Sequence, residues 1–160
     1  FFRQKTAYEI TRDWSSDVCS SDLQPISVKG VTLKQLTTAV DLRGNLSVGE
    51  FSEALPFDPK RFFIVYDVPS RYVRGEHAHR TCHQFLVAVH GSITIVVDDG
   101  TDRAEIELDN PTIGLHIPPM VWATQYRYAK DSVLMVLASH SYDDSDYIRD
   151  YEEFLKLRNS

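Results

Sequence analysis

Cysteine is nearly absent from this chain. Cys19 and Cys82 are the only two in 160 residues, too few for a disulfide framework and at no spacing that suggests a structural zinc. Long apolar runs are missing too: no stretch approaches the roughly 20 residues a membrane helix requires, and the N-terminus lacks the basic-then-apolar order of a secretory signal. These absences predict a cytoplasmic protein. Lys and Arg form no run, and the formal charge of −6 has the wrong sign for a nucleic-acid binder, whose affinity rests on clustered cations. An anionic ligand must therefore be met locally, by a few placed side chains. What remains is ordinary globular composition, 42% hydrophobic and 25% charged, in a length that builds one core.

Residues 1–23, FFRQKTAYEITRDWSSDVCSSDL, do not fit the rest. They hold no sustained period of 2 or 3.6 and resemble translated sequencing-adapter sequence. The segment is expected to be non-native or disordered, so that the true chain begins near Gln24 or has lost its own start. A short helix from about Ala7 to Trp14 followed by a Ser/Asp-rich linker is the alternative. Residues 24–160 are expected to form the functional domain.

From Val31 on, short segments rich in Val, Ile, Phe and Tyr alternate with turn residues, the pattern of an all-β sandwich or barrel. VTLKQL, NLSVGEF, KRFFIVYDV, QFLVAVHG, SITIVVDD, RAEIELD, TIGLHIP, WATQYRY and SVLMVLASH read as strands. Two hairpins are predicted, one at His90-Gly91-Ser92 and one at Asp98-Asp99-Gly100-Thr101, whose glycine tolerates positive φ. Near the C-terminus the period changes. Tyr147, Tyr151, Phe154 and Leu155 recur at helical spacing after Asp144 or Ser145 as N-cap, which predicts one amphipathic helix packed on the barrel.

The segment that carries chemistry is Arg74-Gly75-Glu76-His77-Ala78-His79. In an extended strand alternate side chains share a face, so His77 and His79 enter one cavity with Ala78 directed away. Two imidazoles there can accept and donate protons near neutral pH, or bind a metal. Three good protein ligands are the usual requirement for a catalytic metal. The position where metal-binding barrels of this kind carry a carboxylate is Gln84, a weak ligand, and no histidine falls between Pro119 and Tyr128. His83 is the one further nitrogen nearby. A metal-independent site without a cofactor is the expectation.

VRGEHAHRTCHQFLVAVHGS, VVDDG, GLHIPPMVW, VLMVLASHSYDDSDYIRDYEEF and DLRGNL together resemble the dTDP-sugar 3,4-ketoisomerases, the WxcM-like sugar cupins, from about Val31 to Leu157. The resemblance implies a single cupin jelly-roll barrel with a C-terminal helix, and a homodimer with exchanged N-terminal strands. It also implies conversion of dTDP-4-keto-6-deoxyglucose into the 3-keto isomer for a 3-aminosugar pathway. His77 and His79 carry over as the catalytic pair, with His79 favoured as base at C3. Arg43, Arg61 and Arg74 are the candidates for holding the diphosphate, since a guanidinium grips phosphate oxygens bidentately. Tyr66, Trp122, Tyr126 and Gln84 are candidates for lining the sugar or base pocket. The chain departs from the family in two places: Phe62 and Phe63 stand where some members carry Tyr-Tyr, and Ala123 where some carry His. A 3,5-epimerase, a non-catalytic sugar-binding module and a metal-dependent oxygenase are the competing readings. The epimerase family pairs one His with a buried Asp and a Tyr acid, which HAH is expected to replace here.

Overall fold

The computed structural model describes residue 23 and residues 25–159; all but Leu23 of the suspect N-terminal segment lies outside them. The strands are β1 (Thr32–Gln35), β2 (Thr37–Asp41), β3 (Gly44–Val48), β4 (Arg61–Tyr66), β5 (Arg74–His79), β6 (Gln84–His90), β7 (Ile93–Asp98), β8 (Arg103–Leu108), β9 (Ile113–Ile117), β10 (Trp122–Tyr126), β11 (Val133–Ala138) and β12 (Tyr147–Ile148). Among the described residues there are two α-helices, α1 (Phe51–Ala54) and α2 (Tyr151–Arg158).

Two five-stranded sheets form, in the orders β1-β9-β6-β11-β4 and β12-β5-β10-β7-β8, with β2 and β3 as a separate hairpin. The sheets face each other. Leu86 and Ala88 of β6, Leu115 and Ile117 of β9 and Leu134 and Val136 of β11 meet Ile93, Ile95 and Val97 of β7 and Ile106 and Leu108 of β8 in one core. This is the expected all-β barrel, and period-2 alternation builds it. Strand β6 is buried on both faces, since Phe85 and Val87 pack outward against Leu36 and Leu55. That explains its unbroken apolar run.

The structure corrects two local expectations. The Asp98–Thr101 turn does close a hairpin between β7 and β8, but His90-Gly91-Ser92 does not. Strand β6 pairs with β9 and β11 while β7 pairs with β8 and β10, so this tight link carries the chain from one sheet to the other. Gly91 is required there: its φ is +69°, and an added Cβ would lie 2.8 Å from Ser132 Oγ.

The C-terminal helix is shorter than its period suggested. Asp144–Asp146 form a 3₁₀ turn capped by Asp143, and Tyr147–Ile148 then pair with β5 as a strand. Helix α2 starts afresh, with the Asp150 carboxylate accepting the Glu153 N–H. It buries Phe154 completely against Ala78 and Ile148, worth about 2–3 kcal/mol. Tyr151 donates to Asp98 Oδ2 at 2.9 Å and Arg158 Nε to the Asp99 carbonyl at 2.8 Å, which pins the helix over the β7–β8 hairpin.

Candidate active site

Strand β5 enters the barrel through a bulge. Gly75 and Glu76 both have positive φ, +82° and +53°, and the register against β10 shifts between Ala123 and Thr124. A Cβ on Gly75 would come 2.9 Å from the Ala123 carbonyl oxygen, so only glycine lets the strands approach. Beyond the bulge alternation resumes. Ala78 is fully buried under α2, and His77 and His79 share the opposite face with ring centroids 4.9 Å apart, edge to face.

The protonation of both rings follows from their neighbours. His77 donates its Nδ1–H to the Gly75 carbonyl at 2.9 Å. His79 donates its Nδ1–H to Asp146 Oδ2 at 2.8 Å, and the other oxygen of Asp146 accepts the N–H and hydroxyl of Thr81 at 2.8 and 2.7 Å. Each imidazole is therefore left with a lone pair on Nε2. At His79 that lone pair meets the Gln84 amide nitrogen at 3.1 Å.

Burial pushes His79 down to about 4, against the opposing pull of Asp146. Burial also lowers His77, opposed by its bond to Gly75 and aided by the charge of Arg149. Burial acts to raise Asp146, but the Thr81 and His79 hydrogen bonds prevail and hold it below the usual carboxylate range. At neutral pH the site thus holds two neutral imidazoles beside one carboxylate.

A cavity of about 280 Å³ lies over this pair, lined by Phe63, Val65 and Tyr66 of β4, Arg74, Gly75 and His77 of β5, Gln84, Gln125 and Tyr147. Of the residues expected at the site, His77, Arg74, Gln84 and Tyr66 line it, and His79 touches it through Gln84 and His77. The others are placed elsewhere. Trp122 packs on Tyr151 and Phe154 of α2. Tyr126 donates to Glu105 on the outer face of the second sheet. Both have the wrong parity on β10, whose inward residue Gln125 lines the cavity instead. Arg43 is tied to Asp41 in the exposed β2–β3 hairpin. Arg61 is half-buried between the rings of Phe63 and Tyr142, at the end of β4 rather than in the cavity wall.

Three polar residues of the site escaped the sequence reading: Gln125, Asp146 and Tyr147. The last two lay inside the stretch read as continuous helix. A His–Asp pair with a neighbouring tyrosine is thus present, where HAH was expected to replace such an arrangement.

Among the described residues, one group has metal-ligand atoms within 4.8 Å of one another: His79, Cys82 and Asp146. Those groups are already engaged: both Asp146 oxygens accept hydrogen bonds, one of them from His79 Nδ1–H, and Cys82 Sγ donates to the His83 carbonyl at 3.3 Å. A cation there would have to displace all three donors. A second histidine pair, His83 Nδ1 and His116 Nε2 at 3.0 Å, stacks beside Phe57 outside the cavity, and burial pushes His116 down to about 4.

Comparison with known proteins places this geometry. The model of the WxcM-like, C-terminal FdtA family matches residues 29–159. A TDP-4-oxo-6-deoxy-α-D-glucose-3,4-oxoisomerase of Aneurinibacillus thermoaerophilus is 42% identical over 117 residues, 73% of this chain and 84% of that protein. A double mutant of the QdtA 3,4-ketoisomerase from Thermoanaerobacterium thermosaccharolyticum, solved in complex with TDP, superposes with a TM-score of 0.80 at 35% identity, covering 82% of this chain and 96% of that one. The WlaRB TDP-quinovose 3,4-ketoisomerase of Campylobacter jejuni does so with a TM-score of 0.78 at 36% identity, covering 81% and 99%. With a family model matched over most of its length and a relative 42% identical, the chain belongs to the WxcM-like FdtA family.

Proposed function

We propose that this chain is a TDP-sugar 3,4-ketoisomerase, moving the ketone of a TDP-linked 4-keto-6-deoxyhexose from C4 to C3. The observation that carries the reading is the pair of neutral imidazoles at the cavity, each with its Nδ1–H committed, so that Nε2 is the atom that takes a proton: on His77 directly at the cavity, on His79 beside the Gln84 amide. The reaction requires removal of the C3 proton, an enediol, and return of a proton to C4. Two such imidazoles supply that exchange. Because His77 lines the cavity and His79 does not, we assign the carbon-bound proton to His77, reversing the preference for His79. His79, its Nδ1–H held by Asp146, stands edge to face on His77, and with that carboxylate it stabilises the transient His77 cation.

Arg74 at the cavity is the diphosphate contact on this reading. The finer assignments belong with it: a cytoplasmic enzyme acting on a sugar nucleotide, with no nucleic acid, membrane or metal required. A second copy of the chain is its partner. Phe62 and Ile64 of β4 are exposed, as are Leu46 of the β2–β3 hairpin and Phe51 of α1, apolar surface suited to a homodimer. On the hairpin, Arg43 would then act from the partner's side.

Proton NMR of TDP-4-keto-6-deoxyglucose with the protein in deuterated water tests the reading. We expect loss of the C3 proton, deuterium at C4 and a carbonyl at C3. Exchange at both C3 and C5 without movement of the ketone would establish an epimerase instead. TDP binding with no exchange at all would establish a binding module. His77→Asn should slow the exchange by on the order of 10²-fold.

A further inference from the structure

The ketone shift moves two kinds of proton. One leaves C3 and one arrives at C4, but O4 must also gain a proton and O3 must lose one. The two histidines reach the reaction neutral, their Nδ1–H groups held by Gly75 and Asp146. They are proton acceptors, so the first proton for O4 must come from another group.

The cavity wall offers few donors. Phe63 and Val65 have none, the Gln84 and Gln125 amides do not titrate, and an arginine such as Arg74 holds its proton throughout. Tyr66 stands at the rim, 62% exposed. Tyr147 remains. It lines the cavity, half-buried, with its ring centroid 4.4 Å from His79 and 4.9 Å from His77. Its hydroxyl has no hydrogen-bond partner among the described residues. The Arg149 guanidinium lies 4.6 Å from its ring centroid.

We propose that Tyr147 is the acid–base group for the sugar oxygens, an assignment that rests on the ketoisomerase reading. In the first half-reaction His77 Nε2 removes the C3 proton, the C–H electron pair becomes the C3=C4 bond, and the carbonyl π pair takes the Tyr147 proton at O4. The products are the enediol, an imidazolium and a phenolate. In the second, the phenolate removes the O3 proton, that O–H pair becomes the C3 carbonyl, and the C3=C4 pair takes the proton of His77 at C4. Both residues return to their starting forms, and no redox partner is consumed. The side chain at position 63 contributes a ring without a hydroxyl, so the proton for the oxygens enters from β12 and not from β4.

The test uses the full chain. Tyr147→Phe keeps the ring that packs on both histidines and removes only the hydroxyl. We expect turnover of TDP-4-keto-6-deoxyglucose to fall on the order of 10²-fold, with the Kd for TDP within twofold of wild type. Because loss of packing could also lower turnover, a second protein carries 3-fluorotyrosine at 147, near-identical in shape and more acidic. Its alkaline limb of kcat should move to lower pH, which a purely structural role would not cause. Wild-type turnover in Tyr147→Phe, or an unmoved alkaline limb in the fluorotyrosine enzyme, overturns the assignment. Absence of isomerisation by the unsubstituted chain would instead overturn the ketoisomerase reading itself.

Discussion

Asp146 accepts the Nδ1–H of His79 across 67 residues of sequence, at 2.8 Å. One residue ends strand β5 and the other ends a 3₁₀ turn that follows the last long strand. Asp146→Asn keeps an oxygen for Thr81 but removes the charge that orients His79 and, through it, favours the His77 cation. Turnover should fall ten- to a hundredfold with TDP affinity unchanged, measured by steady-state assay and calorimetric titration. Equal turnover in Asp146→Asn would show that His79 needs no oriented tautomer.

Arg74 should separate binding from chemistry. If it meets the diphosphate, Arg74→Ala should raise KM about tenfold or more and change kcat little. A kcat loss with KM unchanged would place Arg74 in the chemical step.

The buried histidines make stability depend on pH. His79 and His116 titrate near 4 in the folded protein, and near 6.5 when unfolded. The unfolded chain therefore binds more protons between those values, and stability is lost as pH falls from about 6.5 toward 4. Each of the two should account for roughly 2 kcal/mol over that window. Urea unfolding at pH 7.5 and pH 5 checks it, and His116→Phe should flatten the profile. Equal midpoints at both pH values would contradict the burial that sets these shifts.

Gly75→Ala places a Cβ 2.9 Å from the Ala123 carbonyl at a φ of +82°. The expected cost is about 2–3 kcal/mol, seen as a melting temperature lower by several degrees. An unchanged melting temperature would mean that the bulge yields without strain.

Much of this was readable in the residues. Period-2 alternation marked the long strands, because a strand with one face in a core must alternate. HAH placed two rings on one face for the same reason. Parity alone, however, does not say which face is the cavity. Trp122 and Tyr126 were therefore drawn inward when Gln125 was the inward residue. Strand β12 is two residues long, too short to carry any period, so Asp146 and Tyr147 vanished into the helical spacing of Tyr151, Phe154 and Leu155. The β6–β7 link looked like a hairpin because tightness is a local property, whereas pairing is not.

The position of β12 also separates framework from chemistry along the chain. Both sheets have their long strands by Ala138, while Asp146 and Tyr147 follow and are fixed only once Phe154 docks against Ala78 and Ile148. The barrel's framework is therefore complete in sequence before its chemistry is. A chain halted a few residues after β11 would hold two histidines over a cavity with neither the carboxylate nor the phenol beside them: an assembled vessel, still inert.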